Sequence, residues 1–386
     1  GWLVSDETQA AVDAAVAYRA ATATVTGRVS AVLAMLWREL DAAGIGPGWA
    51  RRLPEAVGAF TAGQSAVAGM ADGYVARTLT AQGATPAAAG VAVDAAAFAG
   101  DGASGIGLDT LLAIPAARAD AAVAAGMAPG DALRAGEAAL RMYAATEMPD
   151  AGTLSVQASM VAHHAQRYVR VVGARCCSRC ALLSGRIYKV RAFERHPRCS
   201  CVCLPVAVVG LADIPSPIDL YRQGRITDLT KAEREALDHG ADISQVVNAK
   251  QGMYVAGGRS YTTAGTTRRS VGGARMLQAR IDQAAGTPQA RYTNFTVSRA
   301  ASAAAAAKYG PLMSRGLPYQ RRNPAGGTEL VQGQFRVPGR PTVAQIMRDH
   351  ASREDRETAL LNFGYLIRER DAATSTAALN ALFRAS

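Results

Sequence analysis

All six cysteines of this 386-residue chain lie between Cys176 and Cys203. Unrelated cysteines would scatter along a chain of this length, so their gathering fixes how the middle of the molecule must fold. Cys177-Ser178-Arg179-Cys180 is a C-x-x-C step whose tight turn aims two thiolates at one point. Downstream, His196-Pro197-Arg198-Cys199-Ser200-Cys201 supplies a second group of nitrogen and sulfur donors. Two such pairs build a closed tetrahedral site of the kind structural Zn2+ takes. Thiolate with imidazole also suits zinc far better than Mg2+ or Ca2+. The expected cofactor is one structural Zn2+, with Cys177, Cys180, His196, Cys199 and Cys201 as candidate ligands. Cys177 and Cys180 form one pair. The second is drawn from His196, Cys199 and Cys201, with Cys176 and Cys203 in reserve. If residues 199–203 form a strand, the three alternate cysteines share a face and spacing does not rank them.

Other uses of these cysteines fit less well. A disulfide framework belongs to small secreted domains, and the opening residues Gly1–Asp6 lack the basic and apolar regions of a signal peptide. An iron–sulfur cluster wants four cysteines in a redox setting. A closed site does not catalyse. An open zinc would need a general base nearby, and the local carboxylate is Glu194. The zinc-deaminase signature places its Glu two residues after a ligand His, whereas Glu194 precedes His196.

Apolar residues make up 49% of the chain and charged residues 19%, which predicts a largely globular protein. Arginine outnumbers lysine 38 to 4 in an Ala- and Gly-rich composition, a bias of GC-rich bacterial or phage genomes. The net charge of +11 divides unevenly, −6 over residues 1–150 and +17 over the rest. Such asymmetry points the basic part toward a polyanion, although a merely solvated basic surface would look the same. The apolar stretch Val202–Ala212 is far too short to span a bilayer, and no membrane association is expected.

The predicted organisation is mainly α, with a small α+β zinc-knuckle domain in the middle and an extended, basic C-terminal region with short helices. Residues 1–150 form an Ala-rich helical domain, with helices at about 7–45, 51–83, 106–126 and 130–147. Its faces are lined by small residues that bury little area each, so it is expected to be weak unless docked to a partner. Residues 151–212 form the metal-binding domain, with a helix over 152–172 and a strand over Leu204–Leu211. Residues 213–386 form the C-terminal region. Within it Thr230-Lys231-Ala232-Glu233 is a capping box that opens a helix over about 231–239. Further helices are predicted over 242–251, Val297–Tyr309, from Pro341-Thr342 to His350, and over Arg353–Ile367.

The run from Cys177 to Tyr188, with Leu183-Ser184-Gly185-Arg186-Ile187-Tyr188 at its end, followed by His196-Pro197-Arg198-Cys199-Ser200-Cys201, resembles the signature of the MuF-like minor head proteins of tailed phages. Three downstream stretches, Asn248–Met253, Tyr261–Arg269 and Asp355–Tyr365 with its Asn362-Phe363-Gly364-Tyr365, are similar to the C-terminal extension of such proteins in phages of actinobacteria. Cys176 and Cys203 are additions to the pattern, and residues 1–150 carry no family motif. The resemblance implies a structural, non-enzymatic virion protein present in few copies. It would sit inside the capsid near the portal, and in the host cytoplasm during assembly. Its roles would be head assembly and DNA packaging or ejection, and its partners the portal or major capsid protein and packaged double-stranded DNA.

Some family members carry a protease or toxin domain, so the alternative is an enzyme domain, a nuclease or ADP-ribosyltransferase-like fusion. Residues 1–162 contain no His, Cys or Lys, so a Ser-His, Cys-His or Ser-Lys mechanism there lacks its base. Asp238, His239 and Asp242 suit an acid/base site or a helix end equally. Gly100–Gly105 fits G-x-G-x-x-G but follows an Ala-rich segment, which favours a plain turn. His163 and His164 are neighbours on a predicted helix and point different ways, which favours packing roles. Arg268, Arg269, Arg275, Arg321 and Arg322, interleaved with tyrosines, are the candidate nucleic-acid contacts. An acidic protein surface would fit the same arginines.

Overall fold

A computed structural model describes residues 6–41, 44–86, 90–102, 107–189, 193, 195–207, 214–251, 253–256, 259–262, 313–322, 328–336 and 342–368. These are mostly helical, with small antiparallel sheets. Two long helices run the length of the N-terminal half: α1 (Asp6–Arg38) and α5 (Pro129–Ala162). Packed with them are α2 (Ile45–Gly69), α3 (Ala71–Ala81) and α4 (Leu108–Ala124).

One end of this bundle encloses large side chains. Trp37 and Trp49 meet edge to face, centroids 5.0 Å apart, among buried Leu33, Phe60, Leu112 and Leu140. Each indole N–H finds a carbonyl, Trp37 Nε1 on Leu133 O and Trp49 Nε1 on Leu112 O. Gly136 lets α5 come this close, since a Cβ there would collide with the Trp37 ring. Small residues permit the approach, and a few aromatic and aliphatic side chains fill the core, each worth roughly 1.5–3 kcal/mol on burial.

The break predicted between 147 and 152 is also corrected, because α5 runs through Pro149. A proline inside a helix costs about 3 kcal/mol. Burial of Ala144, Met148, Ala151 and Val156 along α5 offsets it. The 150/151 division therefore falls within one helix.

Beyond α5 the chain becomes a strand, not the helix predicted to 172. Strand β2 (Arg167–Val171) is the middle of a three-stranded antiparallel sheet between β3 (Ile187–Lys189) and β4 (Val202–Val206). The β-branched run Tyr168-Val169-Arg170-Val171-Val172 explains the preference. A second core joins this sheet to the other end of the bundle, from Tyr18 and Tyr74, stacked at 4.4 Å, through Met160 to Tyr168 and Leu204. Helix α1 has the length and apolarity of a bilayer-crossing helix. Within the protein its Tyr18 hydroxyl donates to Gly152 O and its Arg19 to Val172 O.

Helix α6 (Ser178–Leu182) lies in the loop between β2 and β3, and after β4 come α7 (Pro217–Arg222), α8 (Lys231–Asp238) and α9 (Ile243–Gln251). The predicted capping box is present: Thr230 Oγ1 accepts from Glu233 N, and Glu233 accepts from Thr230 N. Two hairpins not foreseen in the sequence follow, β5 (Met253–Ala256) with β6 (Arg259–Thr262), and β7 (Met313–Arg322) with β8 (Thr328–Arg336). Residues 342–368 fold back on the N-terminal half. Helices α10 (Val343–Asp349) and α11 (Arg353–Asn362) bury Ile346, Met347 and Leu360 in the second core. The helix predicted to reach Ile367 stops sooner, at Asn362, and is closed by Gly364 (φ 71°), where Tyr365 N donates to Leu360 O and Gly364 N to Leu361 O. This is a left-handed cap that glycine adopts without strain. Strand β9 (Leu366–Arg368) then pairs with β1 (Val91–Val93).

Candidate metal centre

Two turns bring the donors together. In the first, Cys177 caps α6, its Sγ accepting from Cys180 N at 3.3 Å. Asp228 holds this turn from outside, accepting from Ser178 N (2.7 Å) and Ser178 Oγ (2.9 Å). In the second, Cys199 N donates to His196 O, with Arg198 in the left-handed region at φ 62°. That conformation is uncommon for a non-glycine residue.

The side chains converge. His196 Nε2 lies 3.1 Å from Cys177 Sγ and 3.2 Å from Cys180 Sγ, and Cys180 Sγ lies 3.7 Å from Cys199 Sγ. Two overlapping sets, Cys177–Cys180–His196 and Cys180–Cys199–Cys201, each have their donor atoms within 4.8 Å of one another and share Cys180. All five residues singled out in the sequence are therefore in one place, and together they could hold a metal ion. The other two cysteines are not in these sets. Cys203 Sγ points to Met160 Sδ at 3.6 Å, and Cys176 is bonded through its backbone to Arg225 and Thr227. The alternating-strand expectation for 199–203 fails because β4 starts only at Val202, so Cys199 and Cys201 are freed from its pleat.

The donor set fits a soft metal ion. His196 Nδ1 lies 2.8 Å from Pro197 O. Once the ring is neutral, a proton kept on Nδ1 and donated there turns the Nε2 lone pair to the sulfurs, the orientation that a carbonyl partner typically imposes on a ligating histidine. Hydrogen bonds from Cys180, and then from His196, bring the Cys177 thiol down to about 5. Hydrogen bonds to Cys177 and Cys199 push His196 up to about 10. Cys199 is pulled far below the ordinary thiol range, first by Cys180, while Cys180 is pushed up by its bond to Cys177. Burial alone raises Cys203 and leads the rise of Cys176 to about 11.

Two buried arginines frame the cluster, and neither was singled out in the sequence. Arg170 of β2 lies over the Phe193 ring (3.9 Å), with Nη1 3.9 Å from Cys199 Sγ. Burial opposes its charge, but the nearby Cys201, Cys199 and Cys180 outweigh that and hold it protonated. Arg195 donates to the carbonyls of Cys199 and Cys201 and to Thr153 Oγ1, and its Nε lies 2.7 Å from Asp150 Oδ1. Asp150 and Thr153 belong to α5, so this guanidinium fastens the second turn to the bundle. A charge inside the apolar run 168–172 was the legible signal for Arg170.

The remaining sequence candidates are placed as follows. Asp238 accepts from Tyr221 Oη, Asp242 accepts from Ser244 N and Gln245 N, and His239 ends α8. These are helix-end roles. His163 closes α5 and lies 3.9 Å from Asp72, which also accepts from Ser159 Oγ. Gly100 N donates to Gln64, and residues 103–106 lie outside the described residues. So do Glu194, Arg268, Arg269 and Arg275, and the predicted helix 297–309. Arg321 and Arg322 are in β7, with backbones opposite Glu329 and Thr328. Compared with protein-family models, curated proteins and solved structures, the chain matches none.

Proposed function

We propose that this chain is a zinc-stabilised structural protein of a tailed-phage head, a MuF-like minor capsid protein. One observation carries the reading: the C-x-x-C and His-Pro-x-Cys-x-Cys segments that resemble that family converge on one point beside a small antiparallel sheet. In this reading the ion is Zn2+, bound by Cys177, Cys180, His196 and a thiolate from the Cys199/Cys201 pair. Its task is to join two turns that have little apolar surface of their own, as structural zinc does elsewhere. The protein works inside the capsid near the portal, in contact with portal or major capsid protein, in head assembly and in packaging or ejection of double-stranded DNA.

Mass spectrometry of purified virions, with metal analysis of the recombinant protein, tests this reading. The chain should be a low-copy virion component and carry one zinc. Absence from virions would remove the assembly role, and a zinc-free native protein would remove its basis.

A further inference from the structure

Arg170 stands in the middle of β2, the central strand of its sheet, with its backbone opposite Cys203 of β4. The residue is only 4% exposed. An arginine keeps its proton in proteins, and a charge so far from water is tolerated only beside a group that answers it. What the guanidinium meets is sulfur. Its Nη1 lies 3.9 Å from Cys199 Sγ, and Cys201 and Cys180 are near enough for their charge to act on it. A neutral thiol is a weak partner for a cation. A thiolate, the form in which cysteine binds a metal, is a full counter-ion.

The guanidinium is also fixed from its other side. Tyr168 and Arg170 share one face of β2, and Phe193 packs on both. Its ring centre lies 5.5 Å from that of Tyr168 and 3.9 Å from the guanidinium carbon. Phe193 is itself buried, and its N–H donates to Gln157 Oε1 of α5 at 3.4 Å. The cation is therefore held between an aromatic face and the sulfurs. Arg195, the second buried arginine at the cluster, is answered differently, by carbonyls, by Thr153 and by the carboxylate of Asp150.

A zinc ion held by three thiolates and one imidazole carries one surplus negative charge. In a buried site that surplus is costly unless a cation stands close. We propose that Arg170 is that cation, a positioning residue of the metal centre that balances the third thiolate, the one contributed by the Cys199/Cys201 pair, and so secures a ligand set of three sulfurs and one nitrogen. Without it, a set of two sulfurs, the imidazole and water would be favoured, because it is neutral. The inference rests on the zinc reading of the cluster and is independent of any role in a virion.

Zinc competition and Co2+ titrations of the full-length, reduced protein test this, with wild type, R170M and R170K compared. Methionine keeps much of the volume and removes the charge, whereas lysine keeps the charge and loses the planar fork. R170M should bind zinc on the order of 10–100-fold more weakly, the usual cost of losing a group behind the ligands. Its Co2+ complex should show weaker thiolate-to-metal charge transfer, as one sulfur gives way to water. R170K should recover most of the affinity and the wild-type cobalt spectrum. Far-UV circular dichroism of each protein checks the fold, and if R170M does not fold, the polar, uncharged R170Q takes its place in the comparison. Wild-type affinity and spectrum in the uncharged variant would overturn the proposal. So would an R170K protein as impaired as the uncharged one, which would assign the residue to packing alone. Failure of the zinc reading looks different, because the wild type itself then takes up neither zinc nor cobalt.

Discussion

Around Trp37 and Trp49 the molecule is held by apolar side chains that fill a closed space between helices. Around Cys180 it is held by a handful of polar contacts: thiols, one imidazole, and two arginines set against sulfur, carbonyl and carboxylate. The first kind of core spreads its stability over many weak contacts and survives the loss of any one methyl group. The second concentrates it in a few groups, each of which leaves a buried charge or an open turn when removed. Arg195 links the two, with its guanidinium on the ligand loop and its counter-ion Asp150 on α5.

The largest expected effect comes from removing the donor common to both sets. Cys180→Ser should abolish stoichiometric metal binding, which in small zinc peptides is worth about 10–16 kcal/mol. Limited proteolysis should then cut between residues 172 and 207, while far-UV circular dichroism retains the bundle's helical signal. Loss of helix and module together would show that the two regions are not separable.

Next comes the link. Asp150→Ala strands the buried Arg195 charge and should cost about 3–5 kcal/mol, read by denaturant unfolding, and metal affinity should fall with it. Trp37→Ala should cost a similar roughly 3–5 kcal/mol but leave metal affinity of the folded protein unchanged. Equal effects of both variants on metal binding would erase the distinction between the cores.

Protons give a smaller, graded effect. His196, raised to about 10, holds a proton at neutral pH that must leave before its nitrogen can ligate, and Cys177 gains one as pH falls through about 5. Metal affinity should therefore rise with pH through the neutral range and fall steeply below about 5. A competition titration with a metal indicator from pH 5 to 9 reads this, and a flat profile would contradict it. Smallest is Thr230→Ala, which removes the α8 cap for about 1 kcal/mol and should touch neither core.

The candidate metal site is more legible in sequence than the fold around it. Two local turns carry the candidate donors, and local spacing is what a sequence displays directly. The five candidate donors accordingly meet. What local spacing does not display is nonlocal: Pro149 inside a continuous helix, strand β2 in place of a helix, and the return of β9 to β1. Each is decided by burial against elements far away in the chain. Arg195 likewise acquires its role only when α5 supplies Asp150 and Thr153. The capping box at Thr230 is entirely local, and its spacing alone places the start of α8.

Elemental analysis of the purified, reduced, full-length protein tests the central claim most directly, with Co2+ substitution reporting the ligands by absorption. One tightly held zinc per chain, exchangeable for cobalt with thiolate-to-metal charge-transfer bands that weaken in Cys177→Ser, is the expected result. A chain that contains no metal, takes up no cobalt and keeps the same hydrodynamic and spectroscopic properties after Cys177, Cys180 and Cys199 are all changed to serine would contradict it.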